Sequence, residues 1–290
     1  MDGQQLYTTD SHIDNQGNIY TVGFNSNSTS DTTYSCIINK FSSQGLHQYS
    51  KKYFTGGGSV SPTITSDFER NIYVVGELNI RKLDHAGNLL LEFPHNSTNI
   101  KKIDVDSTEN IYLFSVFTDN DNGKFGPIIR KFNPYGIELW DFVPFSLNLQ
   151  NGENAILNDA ILDLEGNSII TGSMFRSGER SIFTAHIDFN GLLIWENVFS
   201  LSGKTKISGN KLIKSDNGTV YVTGYCGREY YTNSYDALTL SISNEGNLAW
   251  YKTFDVNSDE DQAFDIKAFN SGVVISGISN VCSPLWSNWK

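Results

Sequence analysis

The sequence predicts an all-β fold that repeats one unit of four short strands, and three observations support this. A phrase resembling Gly-Asn-Ile-Tyr-Val-x-Gly recurs six times, and its closing positions are residues 23, 76, 115, 172, 224 and 277. A Gly-x-Leu phrase follows five of the six copies, with a large side chain four residues after its glycine. The composition, with 25 Gly, 18 Phe and 14 Tyr but only 6 Pro, is typical of short strands joined by tight turns.

Each unit is predicted to run through four strands in order. The first strand ends in a turn opened by an aspartate, which can hydrogen-bond its own backbone, as at Asp14, Asp67, Asp106 and Asp163. The Ile-Tyr phrase is the second strand. The third strand is predicted at residues 36–41, 80–83, 128–132, 181–187 and 237–242. The fourth strand presents its large side chain on one fixed face, at Tyr49, Leu91, Trp140, Trp195 and Trp250.

One sheet of four strands cannot bury both of its faces, so we expect the units to stack around a common axis. Six copies predict a six-bladed β-propeller of four-stranded antiparallel blades in a single domain, with the last blade incomplete at three strands. The predicted blades are residues 1–54, 55–93, 94–145, 146–199, 200–254 and 255–290. The recurring tryptophans are interpreted as packing between neighbouring blades.

Charge and hydropathy exclude several classes of partner. The 290 residues carry 21 Lys and Arg against 32 Asp and Glu, a net charge of −11, so most of the surface would repel nucleic acid. No run of about 18 apolar residues exists, which excludes insertion of a helix into a membrane. Residues 1–5 lack the basic and apolar regions of a signal peptide, so we expect any export signal to have been removed.

Two phrases carry a resemblance to known repeats. Asp-x-x-Gly-Asn-Ile-Tyr-Val-x-Gly and Asp-x-x-Gly-Asn-Leu-x-Trp, as approximated at 163–172 and 188–195, resemble bacterial β-propeller repeats of the SBBP type. The shorter stretch 71–91 resembles an NHL repeat. The resemblance implies a propeller. Such repeats serve in adhesion, as scaffolds and in some lyases, so the resemblance leaves the activity open.

The five histidines show no metal-ligand spacing, and only His12 falls on a predicted innermost strand. We interpret it as a channel-lining residue. The alternative is a lyase or hydrolase site at the channel mouth, formed by His12 with Asp10, Asp104 and Asp159. Propeller lyases place several histidines around the axis, and this single one departs from that pattern.

Two acidic stretches, 119–123 and 255–261, have oxygen ligands at alternate positions, as Ca²⁺ prefers. Neither has its glycine where a calcium loop requires one, so polar loops are the main interpretation and no cofactor is predicted. Of the three cysteines, Cys36 is expected to be a buried apolar residue. Cys226 and Cys282 follow the second strands of adjacent blades, and a disulfide between them would indicate an oxidising compartment.

The leading functional hypothesis is a non-enzymatic binding or adhesive propeller, at the cell surface or outside the cell, with a glycan or protein partner. A structural segment of a larger surface protein is a further alternative. Recognition is predicted on the face that carries the connections between consecutive blades and the loops between second and third strands, at 24–35, 117–127, 173–180 and 225–236. The candidate ligand-binding residues are Tyr225, Arg228, Tyr230, Tyr231 and Tyr235, with Phe175, Arg176 and Arg180 on the neighbouring blade. The sequence predicts no oligomeric state.

Overall fold

The computed structural model describes residues 5–26, 34–54, 61–76, 78–119, 123–144, 153–227, 235–256, 260–269 and 272–279. Within these ranges the backbone forms strands, turns and irregular connections. It contains no helix that is long and apolar enough to cross a membrane.

The strands fall into six successive groups, here called units 1 to 6. Unit 1 contains β1 (Gln5–Ile13), β2 (Ile19–Ser26), β3 (Tyr34–Phe41) and β4 (His47–Phe54). Unit 2 contains β5 (Thr63–Ser66), β6 (Ile72–Val75), β7 (Asn79–Leu83) and β8 (Leu89–Pro94). Unit 3 contains β9 (Thr98–Val105), β10 (Ile111–Asp119), β11 (Lys124–Phe132) and β12 (Glu138–Phe142). Unit 4 contains β13 (Asn154–Leu162), β14 (Ser168–Arg176), β15 (Glu179–Ile187) and β16 (Leu193–Phe199). Unit 5 contains β17 (Lys206–Lys214), β18 (Val220–Gly227), β19 (Tyr235–Ile242) and β20 (Leu248–Phe254), and unit 6 contains β21 (Asp261–Phe269) and β22 (Gly272–Ser279).

Every unit is an antiparallel sheet in which consecutive strands pair in sequence order. A single parallel pairing between Phe125 of β11 and Asn154 of β13 joins the sheets of units 3 and 4. The first strands of successive units lie beside one another from β1 to β21, so they form the inner layer. Unit 6 shows two strands in the described part of the chain, and its predicted third strand falls outside that part.

The apolar core lies between the units. Four buried clusters each combine side chains from two consecutive units. In the cluster between units 3 and 4, for example, Phe114 and Ile129 pack with Leu157, Ile170 and Phe183, and all five are buried. Since strand residues alternate between two faces, a unit with neighbours on both sides buries both faces of its sheet.

The glycine that closes the second-strand phrase is required by the strand beside it. In units 1, 4, 5 and 6 the first strand bulges by one residue directly opposite this glycine. A Cβ added at Gly172 would lie 1.9 Å from the carbonyl oxygen of Ile156, and Gly23, Gly224 and Gly277 meet the same obstacle. Unit 3 has Ser115 at this position. There the pairing moves from Lys102 opposite Phe114 to Thr98 opposite Val116, so no residue of β9 is paired with Ser115.

The large side chain of the fourth strand packs beneath the turn glycine of the next unit. A Cβ added at Gly191 would lie 2.8 Å from the Trp140 ring, and one at Gly246 would lie 2.7 Å from the Trp195 ring. In unit 2 the ring beneath Gly136 belongs to Phe93, while Leu91 packs against the cluster between units 2 and 3. Phe93 lies two residues further along β8, on the same strand face.

The connections between second and third strands are shorter than predicted, because the strands continue into them. In unit 4 the predicted loop 173–180 is a hairpin whose turn is Ser177 and Gly178, with φ of 52° and 85°. Two consecutive residues in the left-handed region fit a tight two-residue turn that matches the strand twist.

Candidate functional site

The strand order places two kinds of connection at opposite ends of the units. Turns between first and second and between third and fourth strands lie at one end, here called the turn end. Connections between second and third strands, and between consecutive units, lie at the other end, here called the loop end. The sequence prediction assigns recognition to the loop end.

At the loop end of unit 5, two predicted tyrosines contact each other. The Tyr225 and Tyr235 rings meet edge to face with centroids 5.0 Å apart. The Lys206 ammonium lies 5.7 Å from the centroid of the Tyr235 ring, and it donates a hydrogen bond of 3.3 Å to the Tyr235 hydroxyl. Lys204 forms an ion pair with Asp236 beside them. These five residues are called the tyrosine–lysine cluster, and both rings are half-buried.

The lysines of this cluster were not predicted, because their contact depends on strand register. Lys206 is paired with Gly227, which in turn is paired with Tyr235. Three strands therefore bring Lys206 within reach of a ring that is 29 residues away in the sequence. The preceding repeats offer no signal for this, since Lys204 lies in the connection that enters the unit and Lys206 is the first residue of β17.

The residues predicted on the neighbouring blade lie at the loop end of unit 4. Phe175 and Arg180 are paired across the β14–β15 hairpin, and Arg176 Nε lies 3.3 Å from Glu153 Oε2. Arg180 is exposed. Arg228, Tyr230 and Tyr231 fall outside the described residues, so their role in binding stays a prediction.

The carboxylates of the enzyme alternative are engaged in bonds between units. Asp10 accepts hydrogen bonds from the Thr63 hydroxyl at 2.6 Å and from the Ile64 amide at 3.0 Å. Asp159 accepts one from the Leu212 amide at 3.0 Å and lies 3.1 Å from Lys211 Nζ. In both cases a carboxylate on the inner strand of one unit holds the inner strand of the next.

Within the described part of the chain, His12 hydrogen-bonds to a hydroxyl and not to one of these carboxylates. Its Nε2 is 2.8 Å from the Ser66 hydroxyl oxygen, and it lines a turn-end cavity of about 620 Å³. Burial lowers the pKa of His12, although the negative charges of Asp104, Asp10 and Asp14 oppose the shift. Asp104 itself accepts the Val105 amide at 3.0 Å and pairs with Lys102 at 3.4 Å. A neutral imidazole next to a hydroxyl is chemically able to accept a proton.

The same cavity is lined by Asp14, Asp67 and Asp106, which serve the turns. Asp14 Oδ1 accepts the amides of Gln16 and Asn18 at 2.9 Å, and its Oδ2 accepts the Asn18 side chain at 2.8 Å. Burial would raise the pKa of Asp14, but these hydrogen bonds outweigh it and lower the pKa. The Asp14 carboxylate therefore holds the backbone of its own turn.

Neither the calcium nor the disulfide hypothesis is tested. Both acidic stretches lie partly outside the described residues, and within the described ranges no three His, Cys, Asp or Glu side chains gather as metal ligands would. Cys226 is fully buried, and burial raises the pKa of its thiol to about 11. Cys282 lies outside the described residues.

No protein family model and no curated protein sequence matches this chain. Its structure is similar to that of Sqt1 from Chaetomium thermophilum, with 11% identity and a TM-score of 0.60 over 95% of this chain and 68% of that chain. It is also similar to the β-propeller domain of the Trilobed protease from Pyrococcus furiosus, with 10% identity and a TM-score of 0.51 over 95% of this chain and 78% of that one. These similarities, together with the four-stranded antiparallel sheets, show that the chain has a β-propeller fold.

The similar structures do not share one activity. The acylaminoacyl peptidase of Pyrococcus horikoshii matches with 11% identity and a TM-score of 0.53, over 94% of this chain and 42% of that chain. A protein of unknown function from Bacteroides caccae matches with 12% identity and a TM-score of 0.50, over 88% of this chain and 83% of that one. At such identities the comparison establishes the fold alone.

Proposed function

We propose that this protein is a six-bladed, non-enzymatic binding propeller that presents its loop end to a glycan or protein partner. The observation that carries the proposal is the tyrosine–lysine cluster. Two half-buried rings and a lysine on three paired strands form a preorganised surface with apolar ring faces and polar edges. Such rings bury a large area at a small loss of rotamer freedom, as recognition of sugars and protein hot spots requires.

Binding is favoured over catalysis by the engagement of the inner carboxylates. Asp10 and Asp159 each accept a backbone amide of the neighbouring unit, so both side chains already serve to join the inner strands. The enzyme alternative then depends on His12 and Ser66 in the turn-end cavity. A His12→Gln variant in hydrolase and lyase assays distinguishes the two, since the binding proposal expects no activity in either protein.

The proposal also covers the type of repeat and the place where the protein acts. The recurring phrases support repeats of the SBBP type, with unit 2 as an NHL-like member, and an adhesive role at the cell surface or outside the cell. Export would favour the Cys226–Cys282 disulfide, which alkylation of the unfolded, unreduced protein followed by intact mass measurement tests. A structural role within a larger surface protein remains the second alternative.

The test compares binding by the wild type, a Tyr235→Ala, Lys206→Ala double variant and a control. Tyr135→Ala is the control because Tyr135 is 80% exposed in a turn-end loop, far from the cluster in the strand order. On glycan arrays and in protein pull-downs we expect the double variant to bind at least about tenfold more weakly, the loss of one hot-spot contact. The control should bind as the wild type does.

Equal binding by the wild type and the double variant would exclude the cluster as the binding surface. Thermal unfolding midpoints are compared first, so that loss of folding is not mistaken for loss of binding. If the double variant unfolds, the single Lys206→Ala variant replaces it, because Lys206 belongs to the cluster and contacts the Tyr235 ring.

A further inference from the structure

The third strand of units 1 to 3 carries a lysine that reaches a turn of the following unit. These lysines are Lys40, Lys82 and Lys131, and each ammonium lies within 5.2 Å of the centroid of the tyrosine ring paired with it on the second strand. Lys40 donates to the His85 carbonyl at 2.8 Å, and Lys131 donates to the Phe189 carbonyl at 2.9 Å. Both carbonyls belong to the second residue of a third-to-fourth strand turn.

In unit 4 a histidine replaces this lysine. The register that pairs Tyr112 with Lys131 in unit 3 pairs Ile169 with His186 in unit 4. His186 is 5% exposed, and neither of its ring nitrogens has a hydrogen-bond partner among the described residues. Its Nε2 lies 3.8 Å from Asp163 Oδ2, which is too far for a hydrogen bond. The imidazole therefore does not make the contact that the lysines make.

His186 lines a cavity of about 400 Å³ between the turns of units 4 and 5. Asn244 lines it too, and its carbonyl is the counterpart of those that the lysines of units 1 and 3 bind. The Phe189 carbonyl accepts a lysine ammonium and a tryptophan Nε1–H. Among the described side chains, the Asn244 carbonyl accepts only Trp195 Nε1–H, at 2.9 Å. Unit 4 thus faces the acceptor of the contact but has no lysine for it.

The charges around this cavity favour a cation. Lys214 lines it, but its ammonium donates to Asp163 at 2.7 Å, so the two charges balance. Glu165 and Asp216 also line the cavity, are exposed, and form no ion pair with a described residue. Burial is the largest cause that lowers the pKa of His186, so the ring adds no positive charge at pH 7. Two carboxylates therefore remain without a balancing charge.

The surface around the cavity is apolar and acidic. Leu164 is 99% exposed, and Ile194, which lines the cavity, is 49% exposed. The exposed charged residues of the described turns at the turn end are all acidic: Glu69, Glu165, Asp216 and Glu245. Charge complementarity therefore favours a basic partner with apolar side chains. A second copy of this chain, with a net charge of −11, does not fit that description.

We propose that the cavity between units 4 and 5 binds a lysine side chain of a basic protein partner. The partner's ammonium takes the place that the repeat's own lysine has in unit 3 and donates to the Asn244 carbonyl. A ring nitrogen of His186 accepts a second N–H, and Glu165 and Asp216 balance the positive charge. A buried acceptor that gains a donor in this way contributes to affinity.

Apolar contacts make a protein segment the source of this ammonium rather than a free amine. The alkyl stem of the lysine packs against Ile194, and apolar residues on either side of the lysine cover Leu164. This surface lies at the turn end, opposite the tyrosine–lysine cluster. The partner proposed here is therefore bound independently of the one proposed for the loop end.

The probe is the synthetic peptide acetyl-Leu-Lys-Leu-amide, titrated into the full chain. NMR follows the ring signals of His186 and the backbone amide signal of Asn244. We expect saturable shifts of both. A peptide with norleucine in place of lysine keeps the alkyl stem but lacks the ammonium, and n-butylamine keeps the ammonium but lacks the leucines. Each should bind at least about tenfold more weakly than the lysine peptide.

Two variants with a matched control test the acidic rim. A Glu165→Gln, Asp216→Asn double variant should bind the lysine peptide at least about tenfold more weakly, because it removes the charges that balance the ammonium. Glu69→Gln is the control, since Glu69 is exposed and has the same turn position in unit 2 as Glu165 has in unit 4. It should bind as the wild type does.

A His186→Lys variant tests the site from within the protein. We expect it to abolish the shift of the Asn244 amide signal, because the protein's own ammonium then donates to that carbonyl, as Lys131 does in unit 3. Thermal unfolding of this variant is measured first. If it does not fold, the double variant decides the matter, since Glu165 and Asp216 are both exposed.

Four results would overturn the proposal. The first is the absence of saturable shifts with the lysine peptide. The second is equal binding of the norleucine peptide, which would leave an apolar contact alone. The third is equal binding by the wild type and the double variant. The fourth is binding of n-butylamine as tight as that of the peptide, which would make a free amine the ligand. The loop-end test uses Tyr235 and Lys206, so either proposal can fail without the other.

Discussion

The aspartate of the first turn organises most units through its two oxygens. In unit 3, Asp106 Oδ1 accepts the amides of Thr108 and Asn110, and its Oδ2 accepts the Asn110 side chain and the Tyr112 hydroxyl. Asp14 and Asp67 bond in the same way to an asparagine and a tyrosine of their own units. The Asp, Asn and Tyr of the repeated phrase therefore hold the turn, which explains their spacing without any ligand.

The closing glycine of the second strand leads to a prediction at the residue scale. We expect Gly172→Ala to lower the free energy of unfolding by about 2 kcal/mol or more, because the added Cβ would lie 1.9 Å from a backbone oxygen. Gly272→Ala is the matched control, since it lies in the same kind of strand and no described residue lies within 4 Å of an added Cβ. We expect its effect to stay within about 0.5 kcal/mol.

Urea unfolding of the two variants measures this difference. If Gly172→Ala lowered the free energy of unfolding no more than Gly272→Ala does, the first strand would move aside without cost. The close approach of that strand would then not be the reason for the glycine.

At the scale of elements, neighbouring units are joined by polar contacts as well as by apolar packing. The bulged residues Asn158 and Asn210 each donate a side-chain hydrogen bond to a carbonyl on the first strand of the following unit, and Thr9 donates one to the Pro62 carbonyl directly before β5. A buried lysine adds a second connection between units 3 and 4. Lys131 Nζ lies 4.7 Å from the centroid of the Tyr112 ring and donates to the Phe189 carbonyl at 2.9 Å.

Two turn glycines with similar φ show how much the ring beneath a turn glycine adds to the destabilisation caused by alanine. Gly191 and Gly45 have φ of 84° and 78°, so alanine at either costs about 1 kcal/mol of backbone strain. At Gly191 the added Cβ meets the Trp140 ring at 2.8 Å, whereas at Gly45 it meets no residue that the structure describes. We therefore expect Gly191→Ala to destabilise by about 1–3 kcal/mol more than Gly45→Ala.

Thermal and urea unfolding of both variants check this expectation. Similar decreases in the free energy of unfolding at the two positions would show that the Trp140 ring shifts without cost. The glycine at both positions would then be required by turn geometry alone.

At the scale of the whole molecule, buried titratable groups predict how stability depends on pH. Burial is the largest cause that lowers the pKa of His12, His95 and His186 below the usual 6.5. The unfolded chain then binds more protons than the folded one as the pH falls below about 6.5. The free energy of unfolding should decrease across that window until the folded histidines also become protonated.

The turn carboxylates predict a second decrease in the free energy of unfolding, at lower pH. Hydrogen bonds outweigh burial and lower the pKa values of Asp14 and Asp106 below the usual 3.8. Their stabilisation is complete above that value and is lost as the pH falls through the lower, folded pKa values. Histidine ring titration by NMR and urea unfolding from pH 8 to pH 3 measure both windows. Midpoints of the three histidines at or above 6.5 would contradict the first.

Much of the repeat is readable from residues close together in the sequence. The aspartate turns and the positive φ of glycines such as Gly17, Gly166 and Gly218 are local properties, so the second and fourth strands lie where the phrases predict. Packing of Trp140 and Trp195 against the following unit follows from strand alternation, and the structure confirms it.

Contacts between distant residues could not be predicted in this way. The ring beneath Gly136 comes from Phe93, and the partner of His12 is Ser66, which lies 54 residues away. The tyrosine–lysine cluster was half predicted, since Tyr225 and Tyr235 were identified but Lys206 was not. Each of these contacts depends on the register between strands, which a local phrase does not encode.

The sequence by itself thus determined an all-β chain of repeated four-strand units, because turn geometry and side-chain alternation act over a few residues. Only the tertiary structure decided that Asp10 and Asp159 join neighbouring units, and that Lys206 stands over Tyr235. It also decided that Trp250 is 40% exposed whereas Trp195 is 8% exposed. These outcomes depend on how one unit seats on the next, and that is set by the packing of whole sheets.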